Sequence, residues 1–200
     1  MSKIKSFIAG ISAAMLIPTL ASAEEKFYFA LSTGLGFVDV EEYADTSAQL
    51  IADTLGQTVN YSFDRATWVG KAAVGYGLTS NIAFEAGYFI TGNIDLAYSI
   101  TGASATESVS ASGIDLALVY KTEAGLFGKL GAHSSEVNAN ASVTLDGTSY
   151  NLASATTSGN GLMFGVGYES EYGIFGYDLY QKIGGLSDNN IGFITYTTKF

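Results

Sequence analysis

The stretch Phe27-Tyr28-Phe29-Ala30-Leu31-Ser32-Thr33-Gly34-Leu35-Gly36-Phe37 decides the fold. Phe27, Phe29, Leu31, Thr33, Leu35 and Phe37 fall on one face, and Tyr28, Ala30, Ser32, Gly34 and Gly36 on the other. A period of two over this length is a β-strand, apolar on one side and small or polar on the other. A soluble sandwich gives the same alternation, so the rest of the chain has to separate the two.

Seven more runs alternate in the same way. Their apolar faces carry Trp68, Ala72, Val74, Tyr76 and Leu78; Ile82, Phe84, Ala86, Tyr88 and Ile90; Ile114, Leu116, Leu118 and Tyr120; Leu126, Leu130 and Ala132; Leu162, Phe164, Val166 and Tyr168; Phe175, Tyr177 and Leu179; and Ile194, Tyr196 and Phe200. The connections alternate long and short. Tight turns fall at Leu78-Thr79-Ser80-Asn81, Thr122-Glu123 and Glu171-Tyr172-Gly173, and long connections near 39–64, 92–110, 134–160 and 184–189. Membrane barrels show this asymmetry, with short periplasmic turns and longer external loops. A soluble sandwich has no reason to adopt it.

Charge placement points the same way. Lys26, Arg65, Lys71, Lys121, Lys129, Lys182 and Lys199 all fall opposite the apolar face, as do Glu85, Asp115, Glu169 and Asp178. A lysine facing lipid at mid-bilayer costs about 2–4 kcal/mol, so strict exclusion is expected. Tyr76, Tyr120 and Tyr168 stand just before short turns, and Phe27 and Phe200 lie at the same end; together they predict a periplasmic aromatic girdle. The expected fold is all-β, an eight-stranded antiparallel up-and-down transmembrane β-barrel.

Residues 1–23 have the form of a cleaved secretion signal: Lys3 and Lys5, an apolar stretch from Phe7 to Leu20, then Ala21-Ser22-Ala23. The barrel domain is expected to occupy 24–200, without linker or second domain. Losing Lys3 and Lys5 moves the formal charge from −10 to −12, which does not suit nucleic acid. The one proline, Pro18, leaves with the signal, and continuous hydrogen-bonded strands suit a chain without proline. No cysteine is present, which removes disulfides, thiol chemistry and thiolate metal sites.

The run Val74-Gly75-Tyr76-Gly77-Leu78-Thr79-Ser80-Asn81-Ile82-Ala83-Phe84-Glu85-Ala86-Gly87-Tyr88 resembles the second hairpin of OmpA-like outer-membrane barrels. The last strand, with Tyr196 and Phe200, is similar to the signal read by the barrel-assembly machinery, although Thr198 stands where an apolar residue is common. The resemblance implies bacterial outer-membrane localisation, a monomer, and outer-membrane lipid, lipopolysaccharide and the assembly machinery as partners. It covers the whole barrel domain. A peptidoglycan-binding domain is not expected, which makes the chain more like the OmpX-like barrels.

Three regions are candidates for function. In the lumen, Glu85, Lys129, Asp178 and Lys182 are expected to pair with Asp115, Lys71 and Glu169, because buried charges must be paired. That network is a plug, or a gate as OmpA-like barrels suggest. In the external region, Tyr43, Leu50, Ile51 and Leu55 have near-helical spacing within 41–56, Asp146-Gly147 is a hairpin turn signal and Ile100-Thr101-Gly102 marks a second tip. Strands three to six would then extend as a protruding sheet with an edge open to a partner. The acidic residues Glu41, Glu42, Asp45, Asp53 and Asp64 serve solubility rather than a metal site, since no ligand spacing links them. Last, His133-Ser134-Ser135-Glu136 holds base, hydroxyl and carboxylate, as the His-x-Ser pair of lipid A deacylases does. His133 shares the parity of Lys129, so it faces the lumen and not lipid. The expectation is a structural or surface-exposed, adhesive role without enzymatic activity or cofactor. A small pore or gated channel is the alternative, and an outer-membrane lipid-modifying enzyme a weaker one.

Overall fold

The computed structural model describes residues 27–38, 41–185 and 190–200. The secretion signal and Lys26 lie outside the described residues. The elements are β1 (Phe27–Val38), α1 (Glu41–Leu55), β2 (Asn60–Phe63), β3 (Ala66–Gly77), β4 (Ile82–Thr91), β5 (Ile94–Ile100), β6 (Ala103–Lys121), β7 (Leu126–Leu145), β8 (Thr148–Ser170), β9 (Gly173–Tyr180), a 3-10 turn at Ile183–Gly185, and β10 (Ile191–Lys199).

Eight strands close a ring in the order β1-β3-β4-β6-β7-β8-β9-β10, every neighbour antiparallel, with β10 returning to β1. Closure removes the edges an open sheet would leave. The outward positions are the apolar ones. Leu31, Leu35, Trp68, Phe84, Ile114, Leu116, Leu130, Leu162, Val166, Phe175 and Ile194 are all exposed, while Lys71, Glu85, Asp115 and Asp178 are buried inside. A water-soluble fold does the reverse; a continuous exposed apolar belt of this extent is a lipid-facing surface. The fold is an eight-stranded transmembrane β-barrel.

β6, β7 and β8 run for 19, 20 and 23 residues, about twice the ~9–11 residues that a bilayer needs. Beyond the belt their upper halves continue as a sheet ordered β2-β5-β6-β7-β8. β5 takes over from β4 along the same side of β6, and the changeover falls at Gly92. A Cβ there would lie 2.3 Å from Trp68 Nε1, so only glycine lets the chain pass. The Thr91 hydroxyl accepts the Ala111 N–H at 2.9 Å, replacing a ladder bond across the break. Asp146 (φ 48°) and Gly147 (φ 80°) form the tight turn between β7 and β8, both in the left-handed region that a two-residue hairpin turn requires.

α1 packs Ala44 and Ala48 onto Ile94, Leu96 and Tyr98 of β5, with Val38, Ile51, Val59, Phe63, Ala105 and Val109 around them. This is a second small core outside the barrel. The helix in the first connection is where the apolar spacing puts it, but its buried face differs from the expected one. Leu50 points to solvent (68% exposed), and small alanines make the contact because they let helix and sheet approach closely. The side chains of Tyr43 and Leu55 lie outside the described residues. The 92–110 and 134–160 connections are strand for most of their length, so those long connections are built, hydrogen-bonded structure.

Candidate functional site: a sealed lumen and a protruding sheet

The inward positions of the ring form layers. Midway through the barrel, Lys71 (β3) lies 2.8 Å from Asp115 (β6) and 3.8 Å from Asp178 (β9), and Lys129 (β7) lies 2.7 Å from Glu85 (β4). Two tyrosines complete the network. The Tyr180 hydroxyl donates to Asp115 at 2.7 Å and accepts from Lys71 at 2.9 Å, and the Tyr28 hydroxyl donates to Glu85 at 2.7 Å. The close approach depends on Gly87, whose Cβ would meet Lys71 Cε at 2.7 Å and Asp115 Oδ1 at 2.8 Å. Charges withdrawn from water this fully persist only when paired and hydrogen-bonded.

Two of the charges expected in this cluster stand elsewhere. Glu169 is at the short-turn rim, where it takes Lys121 at 3.3 Å and Lys199 at 3.0 Å; its parity is inward but its depth is not. Lys182 is exposed and lies past the end of β9. The chain turns there with φ 57°, so the alternation that placed Lys182 inside no longer applies. Tyr28 and Tyr180 share the charged parity, but alternation does not carry which inward side chains meet across the lumen.

Toward the long-loop end the lumen is closed by an apolar layer. Phe89, Tyr180 and Phe193 pack ring on ring, with centroids 4.8, 4.9 and 5.5 Å apart, and Val69, Met163, Ile183 and Ile191 fill around them. Glycines make room for the rings. A Cβ on Gly113 would sit 2.8 Å from Phe89 Cζ, and one on Gly36 would sit 3.3 Å from Phe193. Large against small across facing positions is how a narrow barrel fills its interior. Ile183 comes from the 3-10 turn, which folds inward and is 1% exposed there. Two side chains of β7 hold that turn: His133 Nε2 donates to the Gln181 carbonyl at 2.7 Å, and Ser135 Oγ accepts the Gly184 N–H at 2.9 Å.

The His133–Glu136 tetrad therefore splits between faces. His133 and Ser135 point inward and are buried, while Ser134 and Glu136 point outward on the same strand. The two inward members are occupied in holding the turn.

At the short-turn end Phe27, Tyr120, Tyr168 and Phe200 are exposed and Tyr76 is half-buried, its ring 4.7 Å from that of Phe27. The cross-strand register adds Phe84 beside Tyr76, and Phe175 beside Tyr168 and Tyr196. Phe84 and Phe175 were visible as outward residues, but their height on the barrel depends on register, which alternation does not carry. Tyr196 and Phe200 lie on this girdle; the Phe200 backbone exchanges hydrogen bonds with Phe29 at 2.8 and 3.0 Å.

Among the described residues the protruding sheet leaves the upper margin of β8 open. β9 pairs with β8 only over Met163–Ser170, and the 3-10 turn sits beside Gly159 and Thr157. Above that, among the described residues, 148–156 of β8 have no strand on their outer side. At the opposite margin α1 is tied down by two contacts, Arg65 to Glu41 at 3.0 Å and the Tyr61 hydroxyl donating to Asp45. That Asp45 carboxylate holds the Tyr61 phenol above its usual range. Asp64 accepts the Asp95 N–H, and among the described residues no cluster of His, Asp or Glu could hold a metal.

No protein-family model matches the chain, and no curated protein matches it. Among solved structures it is similar to Neisserial surface protein A (NspA), at 18% identity and TM-score 0.45, over 86% of this chain and 95% of that one. It is also similar to Ail, the attachment invasion locus protein of Yersinia pestis, at 11% identity and TM-score 0.47, over 88% and 99%. The structure of Ail with the heparin analogue sucrose octasulfate aligns at 9% identity and TM-score 0.47, over the same shares.

Proposed function

We propose that this chain is a bacterial outer-membrane protein whose barrel is a non-conducting anchor for the sheet it carries outside the membrane. The observation that supports this most is the pairing of a lumen closed toward the long loops with an ordered protrusion. The charge network crosses the lumen midway and the aromatic layer closes it toward the long loops, although a cavity of about 1400 Å³ lined by Tyr28, Ser32, Glu85, Lys129 and Lys199 remains on the short-turn side. The upper sheet, in contrast, has its own core, a packed helix and an open β8 margin. An open margin offers unpaired N–H and C=O groups to an extended segment of a partner, and such strand addition is a recurring mode of recognition. The chain is acidic overall, so attachment to another surface through this sheet would rest on backbone pairing and apolar contact rather than on capturing anions.

Catalysis is not part of this reading. A lipid-modifying site must face lipid, and His133 is 4% exposed on the inside of the wall. A triad is recognised by geometry, and here the carboxylate of Glu136 projects from the other face. Lipid, lipopolysaccharide and the assembly machinery are the surroundings this reading implies for a monomer exported by the signal at 1–23.

The test is a set of cells displaying the full barrel or a variant in which Ser149→Pro and Asn151→Pro remove N–H donors that face the open side of β8, since their pairs with Thr144 and Ser142 are the ones that do not bond β7. Attachment to host cells or to neighbouring bacteria is then counted. The reading predicts reduced attachment at equal surface display; unchanged attachment removes the adhesive role of that margin.

A further inference from the structure

The two faces of the protruding sheet differ in kind. The inner one is the small core under α1. The outer one continues the lipid-facing surface of the barrel along the same three strands, and its chemistry changes along a line. Leu116, Ala132 and Leu162 lie side by side on β6, β7 and β8, still within the belt. Four residues higher on β6 the row across the strands is Ser112–Glu136–Ser158, and above it stand Ser110–Asn138–Thr156 and Ser108–Asn140–Ser154. The row between Leu116 and Ser112 is Ile114–Ser134–Asn160, so the carbon surface gives way to hydroxyls and amides one row earlier on β7 and β8 than on β6.

The polar side chains are held in place. Ser154 donates to Asn140 at 2.8 Å and Thr156 to Asn138 at 2.9 Å, while Asn138 donates to Glu136 at 3.2 Å. A hydroxyl has one donor and two acceptor lone pairs, and an amide has two of each, so each group keeps capacity after these bonds. Glu136 is the one charge on this face of the three strands, Asp95 of the adjoining β5 takes the Ser108 hydroxyl at 2.5 Å, and no basic side chain stands on the three strands there. A phosphate- or sulfate-binding face would need cations, and a protein-binding face would be expected to hold aromatic or aliphatic anchors. A flat array of uncharged donors and acceptors suits a ligand of the same kind.

We infer that this face binds uncharged sugars of the outer oligosaccharide of the glycolipid that surrounds the barrel, above the height where acyl chains end. The inference rests on the outer-membrane reading above and names the partner of its protruding sheet. Its support is continuity: the same strands carry an unbroken outward surface from lipid contact into the hydroxyl array. The sugar layer would then brace the sheet upright and leave the β8 margin and α1 facing outward.

The experiment uses the refolded barrel in phosphatidylcholine vesicles that contain lipopolysaccharide with either a long oligosaccharide or one cut back to its innermost sugars. Insertion is scored first, by resistance to heat on a gel. The chain has no cysteine, so Asn140→Cys and Leu50→Cys each carry a single fluorophore. With long sugar, iodide quenching at position 140 should fall relative to cut-back sugar, and quenching at 50, on the solvent face of α1, should not. Melting of the unlabelled barrel should rise by about 2–4 °C with long sugar, the shift expected for roughly 1 kcal/mol at this chain length. The variant Ser110→Glu/Asn138→Glu/Ser154→Glu should insert equally well and lose that rise. Equal quenching at 140 in both vesicles, an equal fall at 50, or an unchanged rise in the variant overturns the inference while leaving the barrel reading intact. Failure of the wild-type barrel to insert overturns both.

Discussion

At the scale of single residues, parity decides what each side chain can tolerate. Leu116 is outward and 57% exposed, in the middle of the belt on β6. Leu116→Arg should cost about 2–4 kcal/mol in a bilayer. The expected outcome is slow or absent conversion to the heat-resistant form, measured in refolding time courses; wild-type kinetics would show that this position does not meet lipid. Lys71 tests the inside. Its ammonium holds Asp115 and Asp178 together, and the Asp115 side chain is fully buried. Lys71→Met leaves those carboxylates without a cation and should destabilise the barrel by about 3–5 kcal/mol, whereas adding Asp115→Asn should recover part of the loss. Urea unfolding followed by the emission of Trp68 measures both. These assignments follow from alternation alone, because one residue's step turns a side chain from lumen to lipid. Lys182 shows where that logic ends: a positive φ past the last residue of β9 resets the alternation, and no pattern of apolar residues signals it.

At the scale of elements, α1 and the strands beneath it behave as a small unit resting on the barrel. The Tyr61 hydroxyl bridges β2 to Asp45 on α1. A phenol whose folded value lies above its ordinary one stabilises the fold fully below about pH 10, and that contribution is lost as pH rises through the raised value. Protease cleavage within 41–55 should therefore increase above about pH 10, and Tyr61→Phe should remove that dependence. A wild-type profile that stays flat to higher pH would separate Tyr61 from the docking of α1. The elements outside the belt were only partly legible. Asp146-Gly147 announces its turn because few residue pairs adopt two successive left-handed conformations. The helix shows in its spacing, but its contact face does not, since Ala44 and Ala48 carry little apolar weight. β2 is four residues long and β5 follows β4 across a single break at Gly92, so both are hidden within a stretch that reads as a connection.

At the scale of the whole molecule, the barrel, its strand number and its lipid face are legible in the sequence. Eight alternating runs, alternating connection lengths and the exclusion of lysine from one face each reflect the same physical demand, a wall between lipid and lumen. Closure and register were not visible. They bring Phe89, Tyr180 and Phe193 from three strands into one layer, and carry Ile183 in from a turn. No local pattern marks those four as partners, although the parity of Phe89 matches that of Glu85. The same register separates Glu169 from the central charges by placing it at the rim. In the proposed reading, a lumen closed by the aromatic layer leaves the barrel as an anchor for the sheet above it. Conductance of the refolded barrel in a planar bilayer tests that claim most directly, with insertion verified independently. The account predicts no discrete current steps from the wild-type protein. Reproducible steps whose size changes with Lys129→Ala or Glu85→Ala would contradict it and show that the lumen conducts.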